Sequence, residues 1–414
     1  MEELLNKDRH PYLSAIIVIF AFVYLFFYQL AYPFNPAFFL YIIFGVCLVL
    51  LFLVQKIRLD LQIWLFLACC VTALLGMIST HDVDAGKRET QILFVVLIFL
   101  LVNRSCIGLN AKLKKTIHIG SFLVLCGIYL QYLLQGTFNA WMQTILRSDC
   151  YRQLMWSYTV DNAYAGFSAY TVDAAFFTAL IFGGYALRLF GCFPQKKSNL
   201  FRDILFAVLS LFAVFMTSKR GIFVGMLLAF LLTLYLMRKV SRHIMQKILL
   251  TLLFFCIGIV VLYFTNDIAR NFLNRFLVGG DITTGRVVIY AAAFRNLLSG
   301  NIMIGFGTGA TYALHSSGMH NIYLQLLYDH GFIGMIPYIA FFVYNFKKAY
   351  AQNNSMSLYV QLLMLIYGMS GNPLYSNMIL ITYVVYSTFY RNETLPDTSE
   401  QKDPIKKNRY EIPN

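Results

Sequence analysis

Long apolar runs occupy most of the 414-residue chain and restrict its fold more than any other feature. In lipid, every backbone polar group must be hydrogen-bonded within the protein, so a run of about 20 apolar residues folds as a membrane-crossing α-helix. We predict an all-α polytopic membrane protein with about 12 transmembrane helices, of which the fourth and seventh are short for a span. The runs lie at roughly 12–32, 37–54, 61–79, 90–103, 117–135, 166–187, 203–218, 221–237, 247–265, 331–346, 356–371 and 375–390.

The charged residues indicate membrane orientation and not a nucleic-acid partner. Only 13% of the residues are charged, against about 25% in soluble domains. The net charge is +14, but most of the 33 lysines and arginines form short clusters in alternate connections between the runs. Such connections face the cytoplasm. We therefore expect a multi-pass plasma-membrane protein with both termini in the cytoplasm and no nucleic-acid partner.

The chain is predicted to form a single transmembrane domain, residues 1–390, which includes an extracytoplasmic loop at 266–330. Helices that pack together in lipid make one unit, so the length alone does not indicate several domains. The last segment, 391–414, combines charges with prolines and has few apolar residues. This composition predicts a disordered cytoplasmic tail.

Two outer connections are long enough to carry structure of their own. The first, at about 136–165, contains aromatic residues typical of a helix at the level of the lipid headgroups. The second, 266–330, contains two stretches with helical spacing of apolar residues, Arg286–Leu298 and Asn321–Asp329. We predict two amphipathic helices separated by a tight turn at 305–309, and we call residues 286–330 the cap.

Lys219 and Arg220 lie at the break between the seventh and eighth runs, directly before Gly221. An arginine at a membrane boundary often only extends its charge to the headgroups. Alternatively, its guanidinium offers a fixed fork of donors that suits a phosphate, and the adjacent glycine allows another backbone or a ligand to approach closely. The residues alone leave both interpretations open.

Arg286 lies at the predicted start of the first cap helix. Arginines on amphipathic helices are commonly solvated, but a helix N-terminus already favours anions, and Arg286 would strengthen such a site. Arg295, nine residues later, is either on the same side of this helix or an ordinary surface residue.

His320 and Asn321 precede the second cap helix. A histidine titrates near neutral pH and can remove a proton from a sugar hydroxyl, and an adjacent asparagine can orient it or bind a hydroxyl. The alternative is a structural histidine. The other histidines of the cap have no carboxylate cluster beside them in the sequence, so we expect no metal site and no cofactor.

Two acidic positions complete the candidates. Asp173 lies inside the sixth run, where a carboxylate is costly in lipid, so it is either functional or hydrogen-bonded between helices. Asp82 and Asp84 form a D-x-D pair in a loop after the third run. Such pairs can hold a divalent metal on a sugar diphosphate, although a solvated loop is the default interpretation.

Five short motifs in order resemble the bacterial O-antigen polymerase (Wzy) and O-antigen ligase (WaaL) superfamily. They are TSKRG at 217–221, GRVVIY at 285–290, GFGTG at 305–309, HNIYLQ at 320–325 and GFIG at 331–334. Together they cover about a third of the chain, and outside them only the number of spans and the large outer loop agree. The GFGTG and HNIYLQ motifs look more like polymerase sequences, so the resemblance favours a polymerase over a ligase.

The resemblance implies a membrane glycosyltransferase of the GT-C type that acts without a metal on undecaprenyl-pyrophosphate-linked glycan outside the plasma membrane. It implies that Arg220 and Arg286 hold the pyrophosphate and that His320 activates or binds the acceptor hydroxyl. Lys219, Arg295, Asn321 and Asp173 are the expected substrate-binding residues. Membrane lipid, a chain-length regulator and a flippase are the expected partners, and a transporter of the same lipid-linked sugar is the alternative from another class.

Overall fold

The computed structural model describes residues 11–27, 36–53, 57–80, 82–106, 108–192, 199–237, 246, 257–258, 260–261, 263–277, 286–314 and 318–388. Helices dominate these ranges, and no β-strand occurs in them. The α-helices are α1 (Pro11–Phe27), α2 (Pro36–Leu53), α3 (Leu61–Gly76), α4 (Val83–Ser105), α5 (Leu109–Ile145), α6 (Ser148–Asp161), α7 (Thr171–Leu189), α8 (Leu200–Met216), α9 (Arg220–Leu236), α10 (Asp267–Leu277), α11 (Arg286–Asn296), α12 (Ala310–Leu314), α13 (Ile322–Ala351), α14 (Ser355–Tyr367) and α15 (Asn377–Ser387).

The fold is that of an all-α polytopic membrane protein. Within the described ranges, three helices, α5, α7 and α13, are long and apolar enough to cross a bilayer, and several shorter helices are also apolar. Large apolar side chains are exposed along the bundle, among them Phe52 and Leu133. Contiguous exposed apolar surface is typical of a membrane-facing protein and not of a soluble one. The total of about 12 spans stays a prediction, because the ninth run and the tail 391–414 lie mainly or wholly outside the described residues.

The helices follow the predicted runs closely, with one informative difference. The fourth run, predicted as 90–103, is part of the 23-residue helix α4, which begins at Val83. Its first turns are charged and are helical because Asp82 caps them: Asp82 Oδ1 accepts a hydrogen bond from the Ala85 amide at 2.9 Å. The D-x-D pair is therefore the start of a helix, and Asp82 has a structural role.

The first long connection begins at a kink and contains the expected helix. Helix α5 is interrupted at Gln135, which has a positive φ of 35°. This is the residue at which the fifth apolar run ends. Helix α6 follows, and Trp141 and Trp156 are exposed on this segment. The prediction of an aromatic-bearing helix here is confirmed.

The GFGTG motif forms a turn wedged between other backbones. Gly305, Gly307 and Gly309 all have positive φ values, of 80°, 101° and 81°. A Cβ on Gly307 would lie 2.6 Å from the Gly76 carbonyl oxygen, and one on Gly309 would lie 2.6 Å from the Gly86 nitrogen. Only glycine satisfies both the backbone conformation and the close approach. The turn therefore fixes the cap against α3 and α4.

Helix α13 is broken at Gly331, which has φ 64° and ψ −175°. The break frees amide groups, and the cap satisfies them: the amides of Phe332 and Ile333 donate to the carbonyls of Ile302 and Met303 at 3.0 and 3.1 Å. The helix consequently has a first arm before Gly331 and a second arm after it. The sequence analysis predicted this division, since it placed a cap helix at 321–329 and a span at 331–346.

The cap has a small apolar core of its own. Ala293 and Leu297 pack with Leu324 and Tyr328 of the first arm of α13, and Met319 lies between them. The apolar residues predicted to form one buried face of α11 are not all buried. Val287, Val288, Phe294 and Leu298 of the same run are exposed. The amphipathic interpretation is thus correct for the first arm of α13 and only partly correct for α11.

Candidate functional site

One turn, Gly368–Gly371, is the meeting point of three helix starts. This turn directly follows α14, and its backbone or side chains contact the first residues of α9, α11 and α13. Arg220 and Arg286 are the first residues of α9 and α11, and His320 lies two residues before α13 begins. The structure therefore brings together three residues that lie up to 100 positions apart in the sequence.

Helix α9 reaches the turn through Gly221. A Cβ at this position would overlap the side chain of Ser370, so the absence of a side chain allows α9 to contact the turn closely. Arg220 is the first residue of α9 and is partly buried. The α8–α9 connection bends sharply at Ser218, which has φ 56°. The chain thus presents the start of α9, with Lys219 and Arg220, beside Ser370.

Helix α11 reaches the same residue through its arginine. Arg286 Nη1 donates a hydrogen bond to the Ser370 carbonyl oxygen at 3.1 Å. Arg286 is partly buried and lies in the first turn of α11. A guanidinium has five N–H donors, so this one bond orients the fork and leaves donors for an anion.

Helix α13 reaches the turn through its first amide. The Ile322 amide donates to the Gly368 carbonyl at 2.8 Å. Asn321 is the N-cap of this helix, and its Oδ1 accepts from the amides of Tyr323 and Leu324 at 3.1 and 3.0 Å. The side-chain oxygen of Asn321 thus accepts the capping bonds, and the Asn321 side chain also hydrogen-bonds to Tyr290.

His320 occupies a strained backbone conformation directly before this cap. Its φ of 51° is in the left-handed region, which non-glycine residues seldom adopt. Its carbonyl accepts a bond from the Tyr290 hydroxyl at 3.5 Å. Tyr290 lies one turn after Arg286, and burial raises the pKa of its phenol while the nearby Arg286 charge opposes the shift. Strained residues of this kind cluster at functional sites.

Asp173 lies behind this arrangement in the first turn of α7, where it is buried. Tyr367 interacts electrostatically with both Asp173 and Arg286. The Tyr367 ring also packs against Gly371 and approaches Gly221. Asp173 therefore belongs to the surroundings of the turn, as a residue that contacts the site through Tyr367.

Arg295 lies away from this centre. Nine residues correspond to about two and a half helical turns, so Arg295 is on the opposite side of α11 from Arg286. It is exposed, and its Nε donates to the Ala291 carbonyl of its own helix at 3.4 Å. The interpretation that placed the two arginines on one side is wrong, and the surface interpretation is correct.

The meeting of three helix starts makes the turn electropositive. The helix dipole adds about half a positive charge at each helix start, although the first amides of α13 are themselves already bonded to Asn321 and Gly368. Arg220, Arg286 and Lys219 add full charges at two of the starts. Such a site can bind a strongly charged anion and hold it in a fixed orientation.

A buried pair of carboxyl groups lies beside the cap turn and was missed by the sequence analysis. Glu89 and Asp329 are 2% and 0% exposed and interact electrostatically. Gln325 Nε2 donates to Glu89 Oε1 at 3.1 Å, and the Thr311 amide donates to Asp329 Oδ1 at 3.0 Å. Burial raises the pKa of the nearby Tyr312 phenol, and the two carboxyl groups raise it further, to about 12.

This pair connects the start of α4 to α12 and to the first arm of α13. These contacts hold the helix that follows His320 against α4 and α12. Glu89 was overlooked because the charged residues at 87–89 were interpreted as part of a solvated loop. The pattern that would have identified it is the helical spacing of α4, which continues back to the Asp82 cap. Among the described residues, no group of three or more histidine, cysteine or acidic side chains is arranged to hold a metal ion.

Comparison with known families gives one match. Residues 205–339, about a third of the chain, match the model of a family described as O-antigen ligase. This match supports the resemblance to the O-antigen polymerase and ligase superfamily. The matched stretch contains Arg220, Arg286 and His320, and it ends within α13. No curated protein matches the chain.

The match supports a membrane enzyme of the O-antigen polymerase or ligase type and does not distinguish the two. The turn at Gly368–Gly371, in contrast, lies outside the matched residues. Nothing in the family comparison assigns it a role. Its place at the centre of the three helix starts is known only from the structure.

The contact between Gly221 and Ser370 can be tested by substitution. Gly221→Ala is expected to lower transfer activity about 100-fold, because the added methyl group pushes the turn and the Ser370 carbonyl away from Arg286. Adding Ser370→Gly, which removes the overlapping side chain, is expected to restore most of the loss. Polymer length in cells and kcat of the purified variants would measure both effects.

Gly225→Ala is the matched control, one turn further along α9. There the nearest atom to a new Cβ is the Tyr367 nitrogen at 3.5 Å, an ordinary contact. This variant should behave as the wild type. Equal activity of Gly221→Ala and Gly225→Ala would show that the contact with Ser370 does not position the site.

Proposed function

We propose that this enzyme is a polymerase, which joins lipid-linked oligosaccharide repeat units of an O-antigen, capsule or exopolysaccharide on the outer face of the plasma membrane. The bond between the growing chain and undecaprenyl pyrophosphate breaks, and a bond forms from the same sugar carbon to a hydroxyl of the next lipid-linked unit. The hydroxyl proton passes to His320. Undecaprenyl pyrophosphate leaves as the second product.

The observation that carries the proposal is the convergence of Arg220, Arg286 and His320 on one turn. Negative charge develops on the pyrophosphate as its bond to the sugar breaks, so donors fixed in advance around the leaving group stabilise the transition state. Arg286, held by the Ser370 carbonyl at 3.1 Å, is such a donor. The arginines supply the charge that a metal ion supplies in other diphosphate-dependent enzymes, and we propose a metal-independent reaction.

The remaining substrate-binding assignments follow the same geometry. Lys219, next to Arg220, adds charge for the pyrophosphate, and the Asn321 amide nitrogen is a donor for a sugar hydroxyl. Asp173 acts indirectly, through Tyr367. We assign no substrate contact to Arg295, because it lies on the far side of α11. A flippase would deliver the lipid-linked unit, and a chain-length regulator would act on the product.

The second candidate is a ligase that moves the finished chain onto lipid A core, and the printed description of the matching family favours it. Both enzymes use the same donor and release the same pyrophosphate, so the same arginines serve either reaction. We favour the polymerase because the GFGTG and HNIYLQ motifs resemble polymerase sequences.

Deletion of the gene distinguishes the two enzymes. Loss of a polymerase should leave one repeat unit on the final acceptor. If long chains instead accumulate on undecaprenyl pyrophosphate, the protein is the ligase. Elongation of lipid-linked units by the purified protein in detergent, where no two compartments exist, would in addition rule out the transporter interpretation.

A further inference from the structure

The buried carboxyl pair beside the cap turn has one unsatisfied oxygen atom on each group within the described part of the chain. Glu89 Oε1 accepts a bond from Gln325 Nε2 at 3.1 Å, and Asp329 Oδ1 accepts one from the Thr311 amide at 3.0 Å. The other two atoms, Glu89 Oε2 and Asp329 Oδ2, are buried and have no hydrogen-bond partner among the described residues. Unsatisfied buried carboxyl oxygens are costly, so this arrangement favours a further group that binds both.

Gln325 adds a third oxygen of the same kind. Its side chain is 0% exposed, bonds to Glu89 and interacts with Asp329 as well, so its amide lies against both carboxyl groups. Because the amide nitrogen donates to Glu89, the Oε1 atom remains as an acceptor, and it is buried with no donor from the described residues. Three unsatisfied acceptors are therefore within reach of one side chain.

Two more oxygen-bearing side chains approach this place from the segment that follows the Gly368–Gly371 turn. A Cβ on Gly318 would lie 3.3 Å from Gln325 Oε1 and 2.8 Å from Asn372 Nδ2, so these two amides are neighbours. Tyr375 interacts electrostatically with both carboxyl groups. Asn372 Oδ1 and the Tyr375 hydroxyl are buried atoms that, within the ranges described, also lack a hydrogen-bond partner.

Nearby positive charge offsets the carboxyl pair only in part. Arg88 interacts electrostatically with Glu89, but it is exposed, and its guanidinium lies 5.9 Å from the centre of the Tyr312 ring. His330, next to Asp329, has its Nδ1 atom against α3 instead. Two ionised carboxyl groups in a buried place are stable only with a compensating charge beside them.

A cation matches this set of oxygen atoms better than a shared proton. A proton bridges only two oxygens and would leave the amide oxygen of Gln325 unsatisfied, whereas a cation collects carboxylate, amide and hydroxyl oxygens in one shell. Such oxygen ligands are those of hard cations. Ca²⁺ tolerates irregular geometry and balances two carboxylates, while Mg²⁺ demands a regular octahedron and keeps several waters.

We propose that Glu89, Asp329 and Gln325 form the centre of a Ca²⁺ site that holds the start of α4 to the first arm of α13. Its ligands differ from the residues that we assign to the reaction, so the cation stabilises the cap and the reaction itself stays metal-independent. The proposal applies equally to a polymerase and to a ligase. The sequence analysis expected no metal site because these ligands are not neighbours in the sequence: Glu89 lies 236 residues before Gln325.

Ca²⁺ should raise the thermal unfolding midpoint of the purified, chelator-treated protein in detergent by roughly 5 °C at saturation, because the cation binds the folded state alone. Oxygen-only sites in proteins outside the cell have dissociation constants of roughly 0.1–1 mM, so a titration to about 10 mM covers the expected range. NaCl at matched ionic strength should not produce the shift. An unfolding midpoint that does not respond to Ca²⁺ would overturn the proposal, and one that only falls as the pH rises above neutral would assign a shared proton instead.

Variants of the two carboxyl groups locate the Ca²⁺ response. Asp329→Asn and Glu89→Gln keep the shape of each side chain and remove its charge, so both should abolish the Ca²⁺-dependent shift. Asp84→Asn is the matched control, because Asp84 is an exposed carboxylate on the same helix as Glu89. It should keep the full shift. Equal shifts in all three variants would place Ca²⁺ binding elsewhere on the protein and refute this site.

Tb³⁺ provides a measurement on the unaltered protein, which does not depend on the folding of any variant. Tb³⁺ replaces Ca²⁺ at oxygen sites and becomes luminescent when a nearby excited tyrosine transfers energy to it. Tyr312 and Tyr375 both interact electrostatically with the carboxyl pair. Excitation of tyrosine should therefore give saturable Tb³⁺ luminescence that Ca²⁺ displaces and that Tyr312→Phe lowers. Luminescence that is absent, or that Ca²⁺ does not displace, would contradict the proposal.

Discussion

Arg286→Lys is expected to abolish chain elongation almost as completely as Arg286→Ala. Lysine keeps the charge but has no planar fork, so it cannot bond to the Ser370 carbonyl and the pyrophosphate in fixed directions at once. Loss of a preorganised donor to a developing anion costs roughly 10²–10³-fold in kcat. Polymer length in cells at matched expression, and kcat of the purified variant, would measure the loss.

An arginine of another helix provides the control for Arg286. Arg270 on α10 is paired with Asp267 at 3.0 Å, and it donates to the carbonyls of Tyr263 and Phe264 at 3.0 and 3.1 Å. Its replacement by alanine removes these bonds as well as a charge, but away from the turn, and should leave kcat of the folded enzyme unchanged. Full-length polymer in cells that carry Arg286→Ala would eliminate the pyrophosphate-clamp role of this residue.

The residue types of the site could be predicted from the sequence, whereas their meeting place could not. Arg220 stands out because it interrupts two apolar runs, and Arg286 because it begins a predicted amphipathic helix of the outer loop. The turn that joins them, GMSG at 368–371, reads as an ordinary loop. Arg286 and Ser370 are 84 residues apart, and no local pattern reports a contact over such a separation.

Local rules succeeded where the determining interaction was itself local. The division at Gly331 was predicted because the helical pattern of 321–329 and the apolar run of 331–346 are separate in the sequence. The predicted length of α4 was wrong because its charged first turns are stabilised by the Asp82 cap and by a buried contact of Glu89 with Gln325, 236 residues away. The helical angle between Arg286 and Arg295 follows from simple geometry, which gives opposite sides.

His320 is expected to contribute roughly 10²–10⁴-fold to kcat as a general base, with little effect on donor binding. The positive φ of this residue complicates the obvious variant, because alanine would be strained in the left-handed conformation that histidine adopts here. Asparagine tolerates this conformation, so His320→Asn preserves the backbone and the bond from Tyr290 while removing the basic nitrogen. His320→Gln is the second variant without a base.

The comparison of these variants separates catalysis from structure. If His320 accepts the hydroxyl proton, His320→Asn and His320→Gln should both lose kcat and keep the wild-type KM for the donor, because an amide cannot take a proton. Their thermal unfolding midpoints should match that of the wild type, at least for the asparagine variant. Near-normal turnover by either amide variant would reduce His320 to a residue that shapes the cap before Asn321, and the base would have to be another group near the turn.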